Sequence, residues 1–172
     1  MATLKCRLWS NDELKKFASS YVGDVLHVSA WKDEDKQGGF YKDYFNNAKS
    51  YTITNYVGER GIQGNEIELD LLNIPESMVG KYNVVFNHTT LEHIFDARTA
   101  HKNLCRLSND IVIIVVPKSQ ETHSTDSYGD YWRFTEQGLS AMFKENGFTV
   151  EYMSEGGGMD GIYLFCIAKK YV

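Results

Sequence analysis

Three cysteines in 172 residues, Cys6, Cys105 and Cys166, stand far apart in the chain. An odd, scattered set excludes a disulfide framework and argues against a zinc centre. The reading is buried free thiols in a reducing compartment, with no metal site. Basic residues are also short, 18 Lys and Arg against 23 Asp and Glu for a net charge of −5. That balance offers no stripe for a nucleic-acid backbone and no polybasic anchor for a membrane. No apolar run approaches a membrane span, and Met1 to Ser10 lacks the apolar stretch of a signal peptide. Repeats, low-complexity tracts and linkers are missing too. These absences lead us to expect one cytoplasmic domain over 1–172, with neither nucleic acid nor membrane as partner.

What is present is ordinary globular chemistry: 42% hydrophobic residues, 24% charged, and 11 Tyr with 9 Phe that need a core or a binding surface. Asn11-Asp12-Glu13-Leu14 reads as a helix start, with Ser10 or Asn11 as cap and Gly23 at the end, for a helix over about 11–22. Strands are expected at Asp24 to Trp31, Ser50 to Tyr56, Ile67 to Leu71, Tyr82 to Asn87 and Asp110 to Val116. The last is a continuous apolar run, the signature of a strand buried on both faces, and Pro117 stops it. Phe40 to Ala48 reads as a short aromatic helical turn and Thr90 to Leu107 as a long helix. Thr135 caps a further helix that ends at Gly147, and strands at Thr149 to Ser154 and Gly161 to Tyr171 flank a Gly156-Gly157-Gly158 turn. Buried strands alternating with helices imply an α/β fold. The sheet is mostly parallel, with helices on both faces and one antiparallel edge strand.

In such sheets ligands bind outside the carboxyl ends of the strands, near the switch point. That rule selects Ala30 and Trp31, Asn55 and Tyr56, Asp70 and Leu71, and Asn87 and His88, with the long loop after Pro117 as a roof. Histidine can deprotonate a hydroxyl acceptor near neutral pH, which makes His88 and His123 the candidate bases; His93 reads as packing at a helix start. Tyr131, Trp132 and Arg133 suit a sugar ring or a phosphate.

The stretch from Tyr82 to Pro117, with Leu91-Glu92-His93 after the fourth strand, resembles the class I S-adenosylmethionine-dependent methyltransferases of the type 11 kind, whose fold is Rossmann-like. So do Arg133-Phe134-Thr135 with Gly138-Leu139, and Asn146-Gly147-Phe148. The resemblance covers roughly residues 24–170. It implies S-adenosyl-L-methionine as cofactor and a small-molecule or sugar acceptor, such as a polysaccharide precursor. Asp70 would meet the adenine amino group, Asn55 the ribose, and the loop from Trp31 to Gly39 the methionine part. The pattern departs at the first strand. The family has an acid and then a Gly-x-Gly-x-Gly turn; here His27 stands at the acid, and Ser29 and Trp31 stand where two glycines would be. Either Gly38 and Gly39 supply the close approach in a rebuilt loop, or the methionine part is held differently. Glu59 is a substitute acid for the ribose. The rival expectation is a catalytically inactive methyltransferase-like module that binds a partner or a nucleotide sugar, and a homodimer is open to either.

Overall fold

A computed structural model describes residues 4–56 and 61–171. Helix α1 (Lys5–Lys15) leads into strand β1 (Asp24–Val28), then β2 (Ser50–Asn55), β3 (Ile67–Glu68) and β4 (Tyr82–His88). Helix α2 (Ala97–Leu107), β5 (Ser108–Ser119), α3 (Glu136–Glu145), β6 (Phe148–Gly158) and β7 (Gly161–Lys170) complete the fold. The seven strands form one sheet in the order β3-β2-β1-β4-β5-β7-β6. The pairs from β3 to β5 are parallel, and β7 runs antiparallel to both of its neighbours. The expected antiparallel element therefore lies at that edge, inside the β6–β7 hairpin.

The central strands bury both faces. Leu26, Val85, Val112 and Ile114 face α2 and α3, packing against Leu104, Leu139 and Phe143. Val25, Phe86, Ile113 and Phe165 face the other way, against Leu14 of α1 and the aromatic turn of Tyr41 and Phe45. Each fully buried side chain of this size contributes about 2 kcal/mol of transfer free energy. The three cysteines are all buried free thiols.

Several boundaries differ from the sequence reading. The first helix is Lys5–Lys15, not 11–22, and Ser10 and Asn11 are buried inside it rather than capping it. Their side chains face other protein atoms, so they never serve a helix end. The expected helix from Thr90 is broken: Leu91–His93 is one 3₁₀ turn, and α2 starts only after Asp96, whose carboxylate accepts from the Thr99 N–H at 3.1 Å. Pro117 does not stop β5. It pairs with Tyr163 beside a register shift, and its carbonyl accepts from Phe134, so the missing N–H costs the ladder little. Gly156, Gly157 and Gly158 lie within β6 rather than in a turn. β3 has only two paired residues; Leu69 follows, buried, with its N–H on the Asn55 carbonyl at 3.0 Å, and Leu71 is buried beyond the ladder.

Candidate functional site

Strand order reverses between β1 and β4, and a cavity of about 900 Å³ opens there, over the carboxyl ends of β1, β2 and β4. Its size suits a small-molecule ligand. One end is walled by the loop after β1 and by Asp70, the floor by Arg7, His88 and Tyr163, and the other end by His93, His123 and Tyr131.

The loop after β1 lacks the expected glycines but has left-handed backbone. Ser29 has φ 55° and Trp31 φ 54°, and Asp33 and Lys36 follow at 61° and 64°. Side chains rarely adopt this region, so four such residues in a row of eight hold the loop in a glycine-like path at a cost in strain. Asn55 fixes it. Its amide oxygen accepts from the Trp31 N–H at 2.6 Å and its amide nitrogen donates to the Trp31 carbonyl at 3.0 Å. Both polar ends of Asn55 thus serve the loop. Beneath, His27 replaces the expected acid, and Asp33 returns one to the same place. The His27 Nδ1 lies 2.7 Å from the Asp33 carboxylate, which also accepts from the Tyr51 hydroxyl at 2.7 Å and the Lys42 N–H at 2.9 Å. Burial holds the His27 pKa below its usual value despite Asp33, so the ring is neutral and donates through Nδ1.

On the floor, Arg7 Nη1 lies 2.8 Å from His88 Nδ1. A guanidinium only donates, so Nδ1 is the acceptor and the ring proton sits on Nε2. Nε2 faces the Ser10 hydroxyl at 2.9 Å, and that hydroxyl donates to the Arg7 carbonyl at 2.9 Å. Burial, with Arg7 adjacent, drives the His88 pKa well below the normal imidazole range. His88 is therefore a neutral ring with both nitrogens occupied. It orients Arg7, which the sequence reading missed because a helix previously placed at 11–22 left Arg7 outside it.

Behind the far wall, next to His93, Glu92 is fully buried and neither carboxylate oxygen has a hydrogen-bond partner. Burial is the main cause that pushes its pKa up to about 8. His93 Nε2 stands 3.6 Å from Glu92 Oε1, while its Nδ1 lies 2.7 Å from the Gly129 carbonyl and donates to it. The His123 ring meets His93 edge-on at 4.9 Å, its own Nδ1 3.2 Å from the Glu121 carbonyl and 3.2 Å from the Asp130 carboxylate.

Of the sequence-selected residues, Ala30, Trp31, Asn55, Tyr56, Asp70, Leu71, His88, His123 and Tyr131 line the cavity. Gly38, Gly39, Asn87, Trp132 and Arg133 do not. Gly38 and Gly39 wrap the Asp35 carboxylate, which accepts from the Gly39 N–H at 2.9 Å, and form a turn away from the cavity. Asn87 is buried, with its amide nitrogen bonded to Val28 and Thr90, and ties β4 to β1. Trp132 donates to the carbonyls of Ile94 and Phe95. Arg133 is forked onto Asp130, at 2.5 and 2.8 Å, and onto loop carbonyls. Both pin the long loop rather than present a surface to a ligand. Glu59 lies outside the described residues.

No protein-family model matches the sequence, and no curated protein matches it. Solved structures match it in shape. Magnesium protoporphyrin IX methyltransferase from Synechocystis PCC 6803, with bound S-adenosylhomocysteine, is 12% identical and covers 96% of this chain and 83% of its own, with a TM-score of 0.68. The 1,6-didemethyltoxoflavin-N1-methyltransferase of Burkholderia thailandensis is 16% identical, with coverage of 96% and 81% and a TM-score of 0.68. An S-adenosylmethionine-dependent methyltransferase from Clostridium acetobutylicum is 7% identical, with coverage of 97% and 92% and a TM-score of 0.66. The chain has the class I methyltransferase fold. Within that fold the cavity occupies the switch-point crevice where open α/β sheets bind their ligands. Among the described residues, no helix is long and apolar enough to cross a membrane.

Proposed function

We propose that this protein is a cytoplasmic S-adenosylmethionine-dependent methyltransferase whose acceptor is a small molecule of the sugar or polysaccharide-precursor class. The observation that carries the reading is the loop after β1. It has left-handed turns at Ser29 and Trp31 over a cavity at the switch point, without the expected glycines. Backbone strain of this kind clusters at ligand sites, which supports the reading. The residues fit the cofactor: Asp70 is the carboxylate for the adenine end, and the backbone of Ala30 and Trp31 the wall for the methionine part. Arg7 is the cation for a carboxylate, held by Tyr41, His88 and Thr89. Bound there, S-adenosylmethionine supplies a methyl group already activated by its sulfonium. The protein's task is then to align acceptor and methyl in a water-poor cavity. Exposed Phe95 and Tyr131, edge-on at 5.4 Å, give a sugar or other ring a face to stack on. Asn55 acts through the loop as a positioning residue, and His88 positions Arg7.

Calorimetric titration with S-adenosylmethionine and with S-adenosylhomocysteine tests the reading. Micromolar binding is expected, weakened about tenfold or more in Asp70→Ala, which is about 1.4 kcal/mol. Absence of heat at millimolar ligand in a folded protein overturns it. That outcome would favour the inactive module that binds a partner or nucleotide sugar, a reading to which the commitment of Asn55 to Trp31 lends support.

A further inference from the structure

Glu92 lies fully buried beside the cavity-lining His93, and neither of its carboxylate oxygens has a hydrogen-bond partner. A buried carboxylate without hydrogen-bond partners is strongly disfavoured, and the His93 Nε2, at 3.6 Å, stands beyond hydrogen-bond length. Such a group is retained when something compensates it. Two imidazoles flank it. Nδ1 of His93 is committed to the Gly129 carbonyl, so the Nε2 lone pair is the one directed at Glu92. Nδ1 of His123 is likewise taken by the Glu121 carbonyl and Asp130, which leaves Nε2. A backbone carbonyl or carboxylate on the distal nitrogen is the usual way a ligating imidazole is oriented. One donor atom from each of Glu92, His93 and His123 can be chosen so that all three lie within 4.8 Å of one another. Tetrahedral coordination at bond lengths of about 2.1 Å puts donors about 3.4 Å apart. The Glu92–His93 pair, at 3.6 Å, is already close to that, and the His123 donor lies within 4.8 Å of both.

We propose that Glu92, His93 and His123 form a divalent-cation site of the Zn²⁺ type, with its open position facing the cavity. Two nitrogens and one carboxylate oxygen suit Zn²⁺ and its borderline neighbours better than Mg²⁺ or Ca²⁺. The site lies beside Tyr128, whose ring meets His93 at 4.6 Å, and Tyr131, whose N–H donates to the Glu92 carbonyl at 2.7 Å. Resting on the methyltransferase reading, the inference extends to the acceptor: it is a hydroxyl compound that binds the ion through oxygen. Coordination makes that hydroxyl more acidic, and its proton passes to water. The oxygen lone pair forms the O–CH₃ bond as the S–CH₃ bond breaks. The pair from that bond stays on sulfur, which leaves as the neutral thioether. His123 is then a ligand and not a base.

Titration of the tag-free full chain with Co²⁺, and with Zn²⁺ in competition, tests the site without any acceptor. The expected result is one equivalent bound with the intense visible bands of four- or five-coordinate Co²⁺, displaced by Zn²⁺. His123→Ala, a change in a half-exposed side chain, should weaken binding at least about tenfold. Glu92→Gln should do the same. A wild-type spectrum no different from aqueous Co²⁺, or unchanged affinity in both variants, overturns the proposal. S-adenosylmethionine titration of the same metal-free samples separates the two readings. Cofactor binding without metal binding removes the metal site alone, whereas metal binding without cofactor binding removes the methyltransferase.

Discussion

Ser29 and Asn55 act on the same few atoms of backbone from opposite directions. Ser29 holds a left-handed φ of 55°, which favours glycine, and Asn55 clamps the loop through both faces of the Trp31 peptide. Ser29→Gly should stabilise the fold by about 0.5–1 kcal/mol, the relief of strain less the extra freedom of glycine in the unfolded chain. Urea denaturation measures this; a loss of stability would show that the serine side chain contributes more than its backbone costs. Asn55→Ala removes two hydrogen bonds at a buried position and should cost about 2 kcal/mol. It should also weaken S-adenosylmethionine binding more than Thr54→Val, which leaves the Trp31 clamp intact. At this scale the sequence misleads in an instructive way. A glycine motif is read as residue types, but the cavity needs a backbone shape, and Ser29 and Trp31 supply the shape without the residues. In the same way His27 and Asp33 divide between them the place of one acid.

Elements were legible where burial alone determines them and obscure where a site intervenes. β1, β4 and β5 carry apolar runs because both faces are covered. The α3 cap is visible because Thr135 does what caps do, accepting from the Gly138 N–H at 3.1 Å. Helix α1 was misplaced because its inner face is polar: Ser10, Asn11 and Glu13 are buried against His88, Asp35 and Ser154. Acids at Asp12 and Glu13 imitate a first turn when they belong to the last. The helix expected from Thr90 fails for a related reason, since the turn at Leu91–His93 buries Glu92 and places His93 in the cavity wall. Helix α2 permits a pH prediction. His101 is buried edge-on to Phe143 of α3 at 4.5 Å, and burial lowers its pKa to about 4. A histidine kept neutral in the fold but free to protonate when unfolded loses stability as pH falls through the unfolded value of about 6.5. The loss is complete only below the folded value. Between pH 7 and 4, His101 should cost roughly 3 kcal/mol, and His101→Leu should flatten that slope in urea titrations across pH. His88 adds to the slope with the same sign.

Across the whole molecule, the two ends of the sequence are locked together. A Cβ at Gly156 would lie 2.4 Å from the Trp9 indole of α1, and one at Gly157 would lie 2.1 Å from the Gly161 carbonyl. These glycines let α1 lie flat on the β6–β7 hairpin, which is why they read as a turn in sequence and are a strand in space. The Glu13 carboxylate accepts from Tyr152 at 2.6 Å and Ser154 at 2.8 Å on the same surface. Because α1 also carries Arg7, the packing of that hairpin governs the floor of the cavity. Gly156→Ala should destabilise the fold by about 1–3 kcal/mol through overpacking, and should lower affinity for S-adenosylmethionine although it lies outside the cavity. A stability loss with unchanged affinity in the folded population would separate α1 docking from the site.

The same clamp has a consequence for the order of assembly during synthesis. Helix α1 is synthesised well before the surface it rests on, β6 and β7. Until residue 170 or so has emerged, Arg7 has no Tyr163 beside it and the cavity floor is incomplete. No ligand of this cavity can then act as a template for the growing chain. Helix α1 must wait, with Trp9 uncovered, for the β6–β7 hairpin, and slow closure of such long-range contacts leaves a chaperone-sized interval.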